Sequence, residues 1–122
     1  MRNTLILLTT LCLFSTSAKA QWVTVQCLFE TECYEAEGCD GAGLSLELSA
    51  GDAPGEVVMR SPGETVVGRT SGSDATSLIW SAETESAAHL LSWGADGTAR
   101  YSVHLVHGPE VVSYLGRCET QT

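Results

Sequence analysis

The segment SAAHLLSWGADGTARYSVHLV, residues 86 to 106, contains two candidate strands on either side of a turn. Its second half, ARYSVHLV at residues 99 to 106, alternates apolar with polar side chains, and this is the period of a half-buried β-strand. Between the two halves, Asp96-Gly97 tolerates the positive φ that a two-residue hairpin turn needs. The segment therefore predicts a β-hairpin and indicates an all-β protein.

The same alternation recurs along the chain, with turns rich in Gly and Pro between the candidate strands. Leu44, Leu46 and Leu48, for example, alternate with polar residues. About eight short strands are predicted, at residues 22–29, 43–49, 56–60, 64–69, 77–82, 86–93, 99–106 and 110–117. Evenly spaced short strands predict a small antiparallel up-and-down β-barrel, with a β-sandwich as the alternative.

The first twenty residues, MRNTLILLTTLCLFSTSAKA, have the parts of a secretory signal peptide. Arg2 precedes an apolar run, residues 5 to 14, that is too short to cross a bilayer. Ala18 and Ala20 have the spacing that a signal peptidase reads. Cleavage after Ala20 leaves residues 21–122 as a single domain, which we expect in the periplasm or outside the cell.

After the signal peptide the chain carries four arginines and no lysine against fifteen acidic residues, a net charge of −11. This charge repels nucleic acid and anionic membrane surfaces, and it provides no patch that neutralises phosphates. We therefore expect no nucleic-acid partner and no membrane association after signal cleavage. A cationic protein partner is compatible with the charge, and no cofactor is expected.

Four cysteines remain outside the signal peptide, and an even number in an exported chain predicts two disulfides. Three pairings are open. We favour Cys27 with Cys118, which joins the first and last strands of a barrel, and Cys33 with Cys39, which closes a short local loop. In the chain-entropy description the long closure contributes roughly 4 to 5 kcal/mol and the short one about 2 to 2.5 kcal/mol.

The stretch ETECYEAEGCDG, residues 30 to 41, holds five acidic residues and two cysteines with no basic residue. A bridge from Cys33 to Cys39 is expected to hold the residues between them as a small projecting loop. One helical turn that ends at Gly38 fits this length.

Three interpretations of this acidic stretch are open. Its charges can simply be solvated and prevent association at a sheet edge. The loop can instead dock a cationic protein, with an aromatic anchor among carboxylates. A calcium-type site is the third interpretation, although the order of the acidic residues is not that of an EF-hand. The candidate partner-binding residues are Tyr34, Glu35, Glu37 and Asp40.

Three large aromatic residues, Trp80, Trp93 and Tyr101, bear on what the barrel interior holds. An eight-stranded barrel has room for packed side chains or for one small ligand. We expect these three side chains to fill the interior. In the alternative they line a cavity, and the protein is a carrier of small apolar ligands.

The histidines do not indicate a metal site. His104 and His107 are three residues apart, so on one strand they point to opposite faces. His89 has the same parity as neighbouring apolar positions, and we expect a core or rim histidine with its hydrogen bonds satisfied.

The sequence contains none of the common catalytic motifs, so we expect a protein that is not an enzyme. Acidic pairs are the remaining candidates for acid and base catalysis, and they leave a carboxylate-dependent hydrolase as a third hypothesis. Examples are Glu30 with Glu32 and Glu83 with Glu85.

The stretches TECYEAEGC, GTARYSVHL and SYLGRC together resemble small uncharacterised exported proteins of alphaproteobacteria. This resemblance implies a periplasmic address and no particular activity. In layout alone, with a cysteine on the first strand, about eight strands and a cysteine at the end, the chain is also similar to the periplasmic inhibitors of C-type lysozyme. SGSDAT at residues 71 to 76 departs from their serine-glycine-alanine-aromatic stretch, so no inhibitory residue is transferred.

Overall fold

The computed structural model describes residues 22–71, 78–108 and 110–121. Eight antiparallel strands form a closed barrel in which each strand pairs with the next and the last pairs with the first. The strands are β1 (Val25–Tyr34), β2 (Gly38–Ala50), β3 (Glu56–Ser61), β4 (Glu64–Ser71), β5 (Leu78–Glu83), β6 (Ala87–Trp93), β7 (Thr98–Leu105) and β8 (Glu110–Thr120). The prediction of a small up-and-down barrel is confirmed. The predicted signal peptide and residues 72–76 of SGSDAT lie outside the described residues.

The barrel interior is a packed core, because the alternating apolar side chains of all eight strands point inward. Trp80 is fully buried, and its indole N–H donates a 3.0 Å hydrogen bond to the carbonyl oxygen of Val57. Trp93 and Tyr101 are 5% and 4% exposed and belong to the same cluster. The three aromatic residues therefore lie in the core, as the sequence predicts.

The turn between β6 and β7 differs from the predicted two-residue turn. Residues 94–97 separate the strands, and the Gly97 N–H donates to the Gly94 carbonyl while the Gly94 N–H donates to the Thr98 carbonyl. Gly97 has a φ of 84°, but Asp96 does not have a positive φ. The carboxylate of Asp96 instead accepts hydrogen bonds from the Thr98 N–H and hydroxyl, and these bonds lower its pKa. The hairpin was predicted correctly, but the prediction of a two-residue turn was wrong.

The barrel closes where β1 lies beside β8. Cys27 is directly opposite Cys118, and the two form a buried disulfide that is part of the core. Next to it, Gly116 lies opposite Phe29, where an added Cβ atom would collide with the carbonyl oxygen of Leu28. A strand glycine of this kind allows another backbone to approach closely.

Replacing Gly116 with alanine should therefore push β8 away from β1. We expect the free energy of unfolding to fall by about 3 kcal/mol, since backbone atoms cannot rotate away from the new methyl group. Gly41→Ala is the control, because a Cβ there meets nothing within 4 Å. Urea denaturation should place the control within about 0.5 kcal/mol of the natural protein. Equal stability of the two variants would contradict the close approach.

The two disulfides should differ in their effect on stability. Cys27–Cys118 spans 91 residues and Cys33–Cys39 spans 6. Replacing the first pair with alanines should cost about 4 to 5 kcal/mol, whereas replacing the second should cost about 2 kcal/mol, because the longer closure removes more entropy from the unfolded chain. Denaturant titration of both double variants tests the order, and a larger loss for the short bridge would overturn it.

Candidate functional site

The acidic stretch is the end of a β-hairpin and not a loop with a helical turn. β1 and β2 stay paired up to Tyr34 and Gly38, and only residues 35–37 form the turn. The Glu37 N–H donates to the Tyr34 carbonyl at 3.2 Å, and Gly38 takes a φ of 86°. The predicted projection closed by Cys33–Cys39 is present, but the prediction of a helical turn was wrong. β1 pairs with both β2 and β8 up to Tyr34, and this pairing outweighs the low strand preference of acidic residues.

The Cys33–Cys39 disulfide clamps this hairpin just below its turn. The two cysteines are directly opposite each other in the β1–β2 ladder. Beyond them, the hairpin is fastened to β8 on one side. The Glu35 N–H donates to the Val111 carbonyl at 3.3 Å, and the Glu35 carboxylate accepts from the Val111 N–H at 3.1 Å. The end of the hairpin is therefore held at a defined position.

The other side of the hairpin extends past its neighbour. β3 pairs with β2 only over Glu47–Ala50, so the first part of β2 has no β3 residue opposite it. β1, in contrast, pairs with β8 as far as Tyr34. The hairpin end thus projects beyond the β3–β4 turn while β8 supports its back.

Most of the predicted site residues lie together on this projection. Glu35, Glu37 and Asp40 are exposed, and Tyr34 is partly exposed. In the described part of the chain, no carboxylate of the hairpin forms an ion pair with an arginine. The hairpin end therefore presents an uncompensated negative surface.

A register change at Glu30 decides which way the hairpin side chains point. Phe29 is opposite Gly116 and Thr31 is opposite Leu115, so Glu30 has no partner on β8. Such a bulge reverses the alternation of the strand. Glu32 and Tyr34 consequently share the face of the inward-pointing residues of β8, although the alternation of the first half of β1 predicts that they point outward.

Glu32 is a site residue that the sequence did not single out for partner binding. Its carboxylate interacts with the phenols of both Tyr34 and Tyr114. The hydrogen bond to Glu32 is the main reason that the pKa of Tyr34 is raised. For Tyr114, burial comes first and Glu32 second, and together they raise the pKa to about 12. Tyr34 thus interacts with the Glu32 carboxylate, and its backbone pairs with Val112 of β8. It is therefore not an isolated projecting side chain.

A polar chain runs from the barrel core to its rim. The Nδ1 atom of His89 lies 2.7 Å from the Tyr101 hydroxyl, and its Nε2 atom lies 3.9 Å from the Glu64 carboxylate, too far for a hydrogen bond. The side chain of His89 is only 1% exposed. Burial lowers its pKa, and the charge of Glu64 opposes this change. His89 is therefore a core histidine with one of its two nitrogens satisfied.

The remaining candidates lie apart from the hairpin. His104 and His107 are exposed, on β7 and on the turn after it. Glu83 borders a shallow open cleft between β4 and β5 that His89 also lines, whereas Glu85 lies in the next turn. Among residues 22–71, 78–108 and 110–121, no group of three or more His, Cys, Asp or Glu side chains is placed to hold a metal ion.

Comparison with known proteins gives no function for this chain. No protein-family model matches it, and neither a curated protein nor a solved structure does. The two disulfides fit an oxidising, exported location. No helix in the described ranges is long and apolar enough to cross a membrane.

The buried histidine gives a pH prediction. Because burial keeps the folded-state pKa of His89 below 6.5, its contribution to stability is complete above that pH and is lost as the pH falls below it. NMR titration of the His89 imidazole should give a midpoint below 6.5, and Glu64→Gln should lower that midpoint further. Glu85→Gln, a charge loss in the neighbouring turn, should leave it unchanged. A midpoint above 6.5, or one that rises in Glu64→Gln, would contradict the assignment.

Proposed function

We propose that this protein is an exported, non-enzymatic binding module whose acidic β1–β2 hairpin docks a cationic protein partner in the periplasm. One observation carries the proposal. The hairpin end bears Glu35, Glu37 and Asp40 on its exposed surface, is clamped by a disulfide and has no arginine paired with its carboxylates among the described residues. A fixed, uncompensated charge of this kind favours a partner of the opposite sign.

The clamp supports binding through entropy. A flexible acidic loop would lose conformational freedom when a partner docks, and that loss opposes association. Here the disulfide and the two hydrogen bonds between Glu35 and Val111 have already restricted the hairpin. The excess of acidic residues over the whole chain also attracts a cationic partner at long range, which raises the association rate at low salt.

The two other hypotheses have weaker support. A carrier of small apolar ligands needs an interior cavity. Trp80, Trp93 and Tyr101 instead belong to the buried hydrophobic cluster of the barrel interior. A carboxylate-dependent hydrolase needs an acidic pair in a cleft. Glu83 borders the β4–β5 cleft without Glu85, and this arrangement does not place two carboxylates on one substrate.

The proposal is tested by removing charge from the hairpin. We expect native mass spectrometry of the protein from its exported fraction to retain a second protein at low salt and to lose it as salt is raised. In Glu35→Gln/Glu37→Gln the affinity for that partner should fall about tenfold, since two exposed charges together contribute about 1.4 kcal/mol. Gln at residue 35 keeps the acceptor for Val111, so the hairpin itself should stay folded.

The matched control is Glu83→Gln/Glu85→Gln. This pair has the same spacing, lies at a turn at the same end of the barrel, and loses the same charge. It should retain at least half of the natural affinity. Binding that is insensitive to salt, or an equal loss in both double variants, would argue against docking at the hairpin.

A further inference from the structure

In the described chain, the first part of β2 is an open sheet edge on the side that faces β3. β2 continues for nine residues before its pairing with β3 begins at Glu47. The last pair between the two strands is Glu47 with Arg60, and β3 ends one residue later, at Ser61. We call the seven residues Gly38–Leu44 of β2, which lie past this end of β3, the free edge. Over about 20 Å, the alternate backbone N–H and C=O groups on this side face away from β1, and no strand among the described residues pairs with them. Such groups form a template for an additional strand.

The side chains along the free edge leave the approach open. Three of its seven residues are glycines, and a Cβ atom added at Gly38, Gly41 or Gly43 would meet nothing within 4 Å. Glycine in a strand often marks a place where another backbone comes close. The disulfide from Cys39 holds the Gly38–Gly41 end of the edge to β1, so this end is anchored before any strand is added.

The charge of the free edge selects which kind of strand can add to it. The free edge and the strand behind it carry Glu30, Glu32 and Asp40, and Glu35 and Glu37 flank its upper end. A second copy of this chain would bring the same charges against one another, and like charges on adjacent strands are destabilising. A partner segment with basic side chains would instead place opposite charges on adjacent strands, which is stabilising.

We infer that the free edge of β2 accepts an extended, lysine- or arginine-bearing segment of a partner protein as an additional β-strand. Main-chain hydrogen bonds to the free edge supply affinity, and the flanking carboxylates supply selectivity for basic side chains. The ladder begins at the clamped end, over Gly38–Gly41, because the two residues Ala42 and Gly43 together lie opposite Glu30 and interrupt the regular register. This inference rests on the proposed function, since it specifies how the cationic partner is held.

The test uses two synthetic peptides and the mature, disulfide-bonded protein. The probe is an eight-residue peptide of alternating lysine and valine. The control peptide has the same residues with a Pro-Pro pair inserted at its centre, which keeps every lysine but prevents a continuous strand. With the probe, alternate amides of Gly38–Gly41 should shift in NMR spectra and become protected from hydrogen exchange. The probe should bind at least tenfold more tightly than the control peptide.

The outcomes separate this inference from the proposed function. Equal binding of both peptides without alternating protection, lost in Glu35→Gln/Glu37→Gln, would overturn strand addition and leave charge-based docking standing. If the double variant binds the probe with full affinity and shows alternating protection, strand addition at the free edge stands. The claim that Glu35 and Glu37 select for basic side chains would then be overturned. Protection of these amides that rises with protein concentration in the absence of peptide would identify a second copy as the occupant and overturn the cationic one. Binding of neither peptide would also overturn the inference.

Discussion

The closure of β1 against β8 is the constraint on which the rest of the structure depends. Without it, both strands would be open edges and the sheet could not enclose a core. The close approach at Gly116 and the buried Cys27–Cys118 disulfide lie side by side at this seam. Phe29, on the same part of β1, contacts the rings of Tyr101 and Tyr114, so the seam also organises the aromatic part of the interior.

The bulge at Glu30 determines which side chains β1 presents on each face at the candidate site. A residue without a partner on β8 reverses the faces of the rest of β1, so that Glu32 meets Tyr114 and the clamping disulfide lies on the opposite face. The same hairpin outruns β3, and this leaves its free edge beside the acidic end. One irregularity and one difference in strand length therefore produce the only feature of the described chain to which we assign binding.

Interior and surface carry different chemistry in this barrel. Among the described residues, His89 is the buried residue with a titratable base; burial lowers its pKa, and its Nδ1 atom lies 2.7 Å from the Tyr101 hydroxyl. The charges lie outside, and their net negative sign makes the compact state repel itself. Two covalent closures offset that repulsion by restricting the unfolded chain. The protein can thus display an acidic surface that a small core alone would support less well.

The amino-acid sequence by itself determined the all-β class, the eight-strand count and the aromatic filling of the core, because each depends on local alternation or on parity along a strand. It favoured, among three possible pairings, the two disulfides that the structure contains. It did not determine the extent of β1 and β2, the turn at residues 94–97 or the faces of Glu32 and Tyr34. Strand ends depend on which neighbours remain within hydrogen-bonding distance, and the bulge exists only when three strands are in register. The tertiary structure alone therefore decided that the acidic stretch is a clamped hairpin with an open edge, since no pattern within residues 30 to 41 records where β3 stops.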